Sequence, residues 1–255
     1  MLSKLREKLW FKSLLWGLFG ILSSIIISTC DFIGLSVESL KQFLSESGVQ
    51  IITIIAISSI YCFIFTFLGY FLGSKAKKYC GIKENKIDKL GKILFLSIGI
   101  IVPIILYLLD VFVYNGKIPN FIPITFNPFE LIGTVLYSGI VEEIWFRLGL
   151  ATCMIVVFHK AFVREKKEEK VDKRYIILGS VFTVLFLFAF QLQSVTTVFD
   201  SRLLVALRAF VNYCIMNLVY TYFYLRYSLK WSVLLHILFL TVYTGVCPLI
   251  LSLLG

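Results

Sequence analysis

The stretch Tyr137-Ser-Gly-Ile-Val-Glu-Glu-Ile-Trp-Phe-Arg147 puts two carboxylates and a guanidinium into a run of otherwise apolar chain. On a helix, Glu143 and Arg147 stand four residues apart and pair along one face. Glu142 lies about 100° further round and finds no partner in its own turn. At membrane depth each carboxylate costs roughly 2.5–3.5 kcal/mol, so ionisable groups there point first to function. One acid is enough to neutralise one arginine. The other, Glu142, is then a candidate general base for a water molecule. The structural alternative is that both acids meet Arg147 and only hold helices together.

Other polar groups lie in apolar runs: Asp110, Gln191, Gln193, Arg208, Asn212, Asn217 and His236. Arg208 and Asn212 share a face at i,i+4 and are placed to hydrogen-bond the acids across a bundle, as glue rather than chemistry. Asp110 falls near the outer end of its run, where water reaches it, and reads as a capping or snorkelling group. His236 alone leaves ligand and packed core as equal readings. His159 would sit about 25 Å from Glu142 along a continuous helix and cannot share its site. Six cysteines, at 30, 62, 80, 153, 214 and 247, fall one to an element without a Cys-x-x-Cys pair, which argues against metal or redox use. Cys30 and Cys247 both fall near outer ends, but a disulfide between them is the less favoured reading.

The elements that must carry these residues follow from composition. Of 255 residues 59% are hydrophobic and 16% charged, with a mean hydropathy of +0.90. Soluble domains run near 45–50% apolar and about 25% charged, so a soluble enzyme, a disordered chain and a secreted disulfide scaffold are excluded. Apolar runs near 13–30, 49–73, 93–114, 131–158, 175–197, 203–225 and 231–253 predict an all-α, polytopic transmembrane bundle of seven spans. The count becomes eight if the proline-bearing 115–130 loop re-enters the membrane. The first run has no cleavage site after it and reads as a retained span. The segment 31–48 reads as a hydrophilic loop. The whole of 1–255 is one integral-membrane domain.

The net charge of +10 is a topology signal. Twenty of the 25 basic residues lie before the first run, in 75–92, in 160–174, or at 226 and 230, all on one side of the alternating spans. By the positive-inside rule that side is cytoplasmic, which puts the N-terminus inside and the C-terminus outside, in the plasma membrane. Nucleic-acid binding is set aside on the same ground, and the partners expected are the lipid bilayer and a membrane-associated peptide. The charge leaves oligomeric state undetermined. Gly69 and Gly73 form a Gly-x-x-x-Gly step, read as close packing rather than a dimer face.

Two segments bear a family likeness. Val141-Glu-Glu-Ile-Trp-Phe-Arg-Leu148 resembles the Glu-Glu-x-x-x-Arg motif of the CPBP intramembrane proteases, the type II CAAX prenyl endopeptidases and their Abi-like bacterial relatives. Leu225-Arg-Tyr-Ser-Leu-Lys-Trp-Ser-Val-Leu-Leu-His236 is similar to the family's third motif, where a short turn feeds a helix carrying a histidine. The likeness covers about residues 130–245. It implies that Glu142 activates the hydrolytic water, that Glu143 and Arg147 support it, and that His236 binds the water or the developing oxyanion. The substrate class implied is a membrane-embedded or prenylated peptide. Three positions depart from the pattern. Gln191 stands where the second motif has histidine, Leu240 where asparagine commonly follows, and Leu148 where glycine usually follows the arginine. A glutamine cannot take a proton, and losing a general acid or base removes about 10²–10⁴ in rate. Two readings therefore stand: an active endopeptidase using Glu142, His236 and Gln191, and an impaired relative acting as a membrane scaffold or immunity protein. A transporter is a distant third, since no inverted repeat is visible. A divalent metal has only Glu142, His236 and a weak Gln191 to hold it, short of a convincing three-ligand set.

Overall fold

A computed structural model describes residues 2–30, 37–82, 84–114, 126–163, 171–196 and 202–254. It is all helical among these residues: α1 Leu2–Cys30, α2 Val37–Cys80, α3 89–114, α4 128–162, α5 Lys173–Thr196, α6 202–226 and α7 229–254. Each apolar run of the sequence falls on one helix. Four of them contain stretches long and apolar enough to cross a membrane, Glu7–Ser28, Ile55–Cys80, Lys89–Val113 and Leu229–Leu254. Residues 115–125, on which a re-entrant loop was expected, lie outside the described residues.

The expected loop 31–48 is corrected in part, because α2 begins at Val37. Hydropathy marks the part of a helix that faces lipid. It does not see the turns beyond, where Glu, Leu, Lys and Gln are good helix formers in water. α4 starts where Asn127 accepts from the amides of Phe129 and Glu130, with Pro128 in the first turn.

Apolar side chains cover much of the outside, and charged ones are gathered within. Leu15, Leu18 and Leu22 on α1 and Ile101, Ile105 and Phe112 on α3 are exposed, while Asp110, Glu143, Arg147, Arg208 and His236 are buried. Buried hydroxyls are satisfied inside their own helices: Ser13, Ser23, Thr66 and Thr183 each donate to the carbonyl four residues back. Such an arrangement suits a hydrocarbon solvent, where no water is at hand for an unpaired polar group. The chain is an integral membrane protein on this pattern.

α4 is the central helix and packs against α1, α2, α5, α6 and α7. Its approach to α2 is made by glycines, as the close-packing reading of Gly69 and Gly73 anticipates. A Cβ at Gly73 would collide with the carbonyl oxygen of Leu148, and one at Gly149 would stand 2.7 Å from Gly69 Cα. α3, α6 and α7 enclose the largest apolar cluster among the described residues, including Tyr107, Tyr220, Phe223, Leu235 and Phe239. α3, α4, α6 and α7 each contain π-helical turns, at 97–101 and 110–114, 137–141 and 144–151, 210–215, and 241–246. Such turns are rare in general and gather at functional sites; here Glu142 and Glu143 sit between two of them.

Candidate functional site

Glu143 is the hub of the interior. It is fully buried, and its Oε1 faces Arg147 Nη2 at 3.3 Å and His236 Nδ1 at 2.9 Å. Its Oε2 accepts a hydrogen bond from Ser232 Oγ, which also bonds the Tyr220 carbonyl at 2.9 Å. A carboxylate can only accept, so His236 carries its proton on Nδ1 and leaves Nε2 for other work. Tyr220 stacks on the imidazole with centroids 4.3 Å apart and planes 22° apart, and the Arg147 guanidinium lies 5.3 Å from the centroid of that tyrosine ring. Arg147 also donates to Asn217 Oδ1 at 2.6 Å, and Asn217 donates to the Tyr213 carbonyl at 2.6 Å. α4, α6 and α7 are thus tied together around one acid.

Glu142 points elsewhere. It forms no ion pair among the described residues and lines a cavity of ≈ 260 Å³. Ser138, one turn earlier, is within hydrogen-bonding reach of it. His236 lines the same cavity, with Asn212, Tyr213, Asn217 and Tyr220 on α6 and Leu240, Tyr243 and Thr244 further along α7. The alternative in which both acids meet Arg147 is not the arrangement found. Glu143 takes the arginine, yet it stands behind the cavity wall rather than lining it, since it is turned toward His236 and Ser232.

The remaining candidates divide. Asp110 is corrected: it has no exposure, and Arg208 holds it with Nε to Oδ1 and Nη2 to Oδ2, both at 2.5 Å, while Tyr243 also donates to it. Position along α3 spoke for water, but Asp110 is on the face turned to α6 and α7, where depth does not matter. Arg208 is corrected likewise, since it bonds Asp110 and Tyr243 rather than Glu142 or Glu143. Both it and Asn212 still line the cavity. His159 stands apart, buried, with Nδ1 3.2 Å from the Tyr79 hydroxyl. Gln191 and Gln193 lie on α5, and their side chains fall outside the described residues, as does Cys30. Cys247 is a buried free thiol. Among the described residues no three His, Cys, Asp or Glu side chains gather as a metal site would require.

Ser232 and Tyr220 were not singled out in the sequence. For Ser232 a signal exists, because it precedes His236 by one helical turn. Tyr220 gave none: its stacking depends on how α6 and α7 cross.

Glu143 and His236 meet although they stand at unequal distances from the basic ends of their helices. About 19 residues follow Glu143 in α4 and about 7 precede His236 in α7, so α4 runs roughly 18 Å past the start of α7.

No curated protein and no solved structure matches the chain. The family of type II CAAX prenyl endopeptidase Rce1-like proteins matches residues 124–242. That segment carries Glu142, Glu143 and Arg147 at one end and His236 at the other, the residues that converge in space, and over it the chain is similar to the CAAX protease-like membrane proteins of the CPBP family.

Proposed function

We propose that the chain is an intramembrane endopeptidase that hydrolyses a peptide bond of a membrane-associated or prenylated substrate with a water activated by Glu142. The observation that carries this reading is the division of labour between adjacent acids. Glu143 is consumed by Arg147, Ser232 and His236, while Glu142 faces the cavity and makes no ion pair among the described residues. A water between Glu142 and His236 Nε2 would have both hydrogens accepted and its oxygen lone pair free for the scissile carbonyl. Glu142 takes one proton as the C–O bond forms and returns it to the departing amine as the C–N bond breaks. Glu143 holds the imidazole in the tautomer that this requires and stabilises any positive charge on it.

A second reading is favoured by one specific feature. Leu240 lines the cavity at a position where the family commonly places asparagine, and it offers no donor to an oxyanion. A chain that grips a peptide without cutting it fits that substitution, as does Gln191. Peptide cleavage by purified protein, beside Glu142→Ala and Gln191→His, separates the two. Loss of cleavage in Glu142→Ala alone supports the enzyme. Background cleavage in wild type with a gain in Gln191→His supports the impaired relative.

The reading includes seven spans with a cytoplasmic N-terminus in the plasma membrane, supported by the clustering of lysine and arginine. Single cysteines introduced at 75–92 in a chain without other cysteines should resist impermeant maleimides in intact cells. Labelling there from outside overturns the orientation.

A further inference from the structure

Away from the cavity, Asn85 and Asp88, which precede α3, are pinned against the turn between α6 and α7. Asn85 N–H donates to the Tyr227 carbonyl at 2.8 Å and its Nδ2 to the Arg226 carbonyl at 2.9 Å, while the Tyr227 hydroxyl donates to Asp88 Oδ1 at 3.0 Å. The pinning leaves a surface groove of ≈ 530 Å³ bordered by Lys86, Lys92, Ser228, Lys230 and Trp231. It is a built groove between elements distant in sequence.

Its charge is one-sided. Of the acids nearby, Glu84 also borders the groove but is held by Lys77 at 3.1 Å, and Asp88 is taken by the Gly91 amide and Tyr227, with Arg226 at 3.9 Å. The ammonium groups of Lys86, Lys92 and Lys230 make no ion pair or hydrogen bond among the described residues. Ser228, only 7% exposed, borders the groove as the residue that opens α7, and its hydroxyl makes no capping bond. The positive end of the α7 dipole therefore meets three uncompensated ammonium groups and an unused hydroxyl. Trp231 is fixed by Phe95, with ring centroids 5.5 Å apart and planes at 83°. Beside Lys92, Leu90 and Ile93 are 64% and 53% exposed. Cations, a tryptophan and outward aliphatic residues at the start of two helices mark a membrane–water boundary.

We infer that this groove binds the phosphate of an anionic lipid headgroup, with Lys86, Lys92, Lys230 and Ser228 on the phosphate and the acyl chains lying along Leu90 and Ile93. Basic pockets between helices on the cytoplasmic side suit such headgroups. The site is independent of the proposed catalysis. It would fix the level of α3 and α7 in the bilayer, and with it the depth of His236, two turns into α7.

Native mass spectrometry of the delipidated full chain, titrated with phosphatidylglycerol or phosphatidylcholine, tests the inference. The first phosphatidylglycerol should bind at least ten-fold more tightly than phosphatidylcholine. The triple variant Lys86→Gln, Lys92→Gln, Lys230→Gln should abolish that preference, whereas the equal charge loss Lys8→Gln, Lys75→Gln, Lys160→Gln should leave it within two-fold. Ser228→Ala, which removes no capping bond, should weaken it several-fold and serves if the triple variant fails to fold. Equal binding of the two lipids, or a preference that survives both Ser228→Ala and the lysine changes, overturns the inference. Displacement of phosphatidylglycerol by millimolar inorganic phosphate reassigns the groove to a soluble anion and overturns the lipid assignment.

Discussion

Glu142 and Glu143 are adjacent in the chain and opposite in situation, and their variants should part accordingly. Glu143 accepts from Ser232 and His236 and neutralises Arg147. Replacing it by alanine leaves a buried guanidinium without its counter-charge, which typically costs about 3–5 kcal/mol. Glu142 has no ion pair to lose among the described residues, so Glu142→Gln should melt within about 1 kcal/mol of wild type. On the proposed mechanism the same change removes the general base and should lower cleavage by about 10²–10⁴. Melting in detergent and peptide turnover, measured on both variants, check the contrast. If Glu142→Gln unfolds the protein as Glu143→Ala does, the acid is structural and the catalytic reading falls. The contrast was half legible in the sequence. The i,i+4 rule matched Glu143 with Arg147 and left Glu142 over, because both partners lie on one helix. The bonds to Ser232 and His236 cross from α4 to α7, and local spacing carries no information on how two helices face each other.

At the scale of elements, α4 is placed by contacts without side chains. Gly73 abuts the Leu148 carbonyl, and Gly149 abuts Gly69. These contacts fall along the π-helical stretch 144–151, directly after the paired acids. Gly73→Ala must push α2 from α4 and should cost about 1–3 kcal/mol by overpacking. Activity should fall along with stability, since the shift reaches Glu142; a Gly73→Ala protein that melts as wild type does would show that α2 yields freely. α3 is set instead by Asp88. The Gly91 amide, then the Tyr227 hydroxyl, then Arg226 hold this carboxyl below its usual range, outside the membrane. A depressed native pKa gives a contribution that is full above the unfolded value, near 3.9, and lost as pH falls through the native value. Amide protection factors at residues 89–92, taken relative to the unstructured exchange rate at each pH, should therefore fall on acidification below about pH 4, and the effect should vanish in Asp88→Asn, which keeps the cap without the charge. The helices themselves were legible as apolar runs. The start of α2 at Val37 was not, because a helix that leaves the bilayer no longer carries the hydropathy that reveals it.

For the whole molecule, the interior holds two charge clusters among the described residues, and the cavity touches both. One is Glu143, Arg147 and His236 on α4 and α7; the other is Asp110, Arg208 and Tyr243 on α3, α6 and α7. Only the first lies where a sequence motif could announce it. Asp110 and Arg208 are 98 residues apart in the chain, and their pairing was hidden because the depth of Asp110 says nothing about its face. The bundle around the cavity is therefore closed by α3 through a buried ion pair that the family motif does not include. In an apolar interior, the desolvation of two ions offsets most of their attraction, whereas one ion left alone has nothing to offset its cost. Asp110→Leu and Arg208→Met should each destabilise by about 3–5 kcal/mol, and the double variant by much less than the two combined. Reversible unfolding in mixed detergent gives the coupling energy. A double variant whose cost equals the sum of the singles would mean that Asp110 and Arg208 act separately, and that α3 is held to the cavity wall by its apolar packing against Phe223, Trp231 and Tyr243 alone.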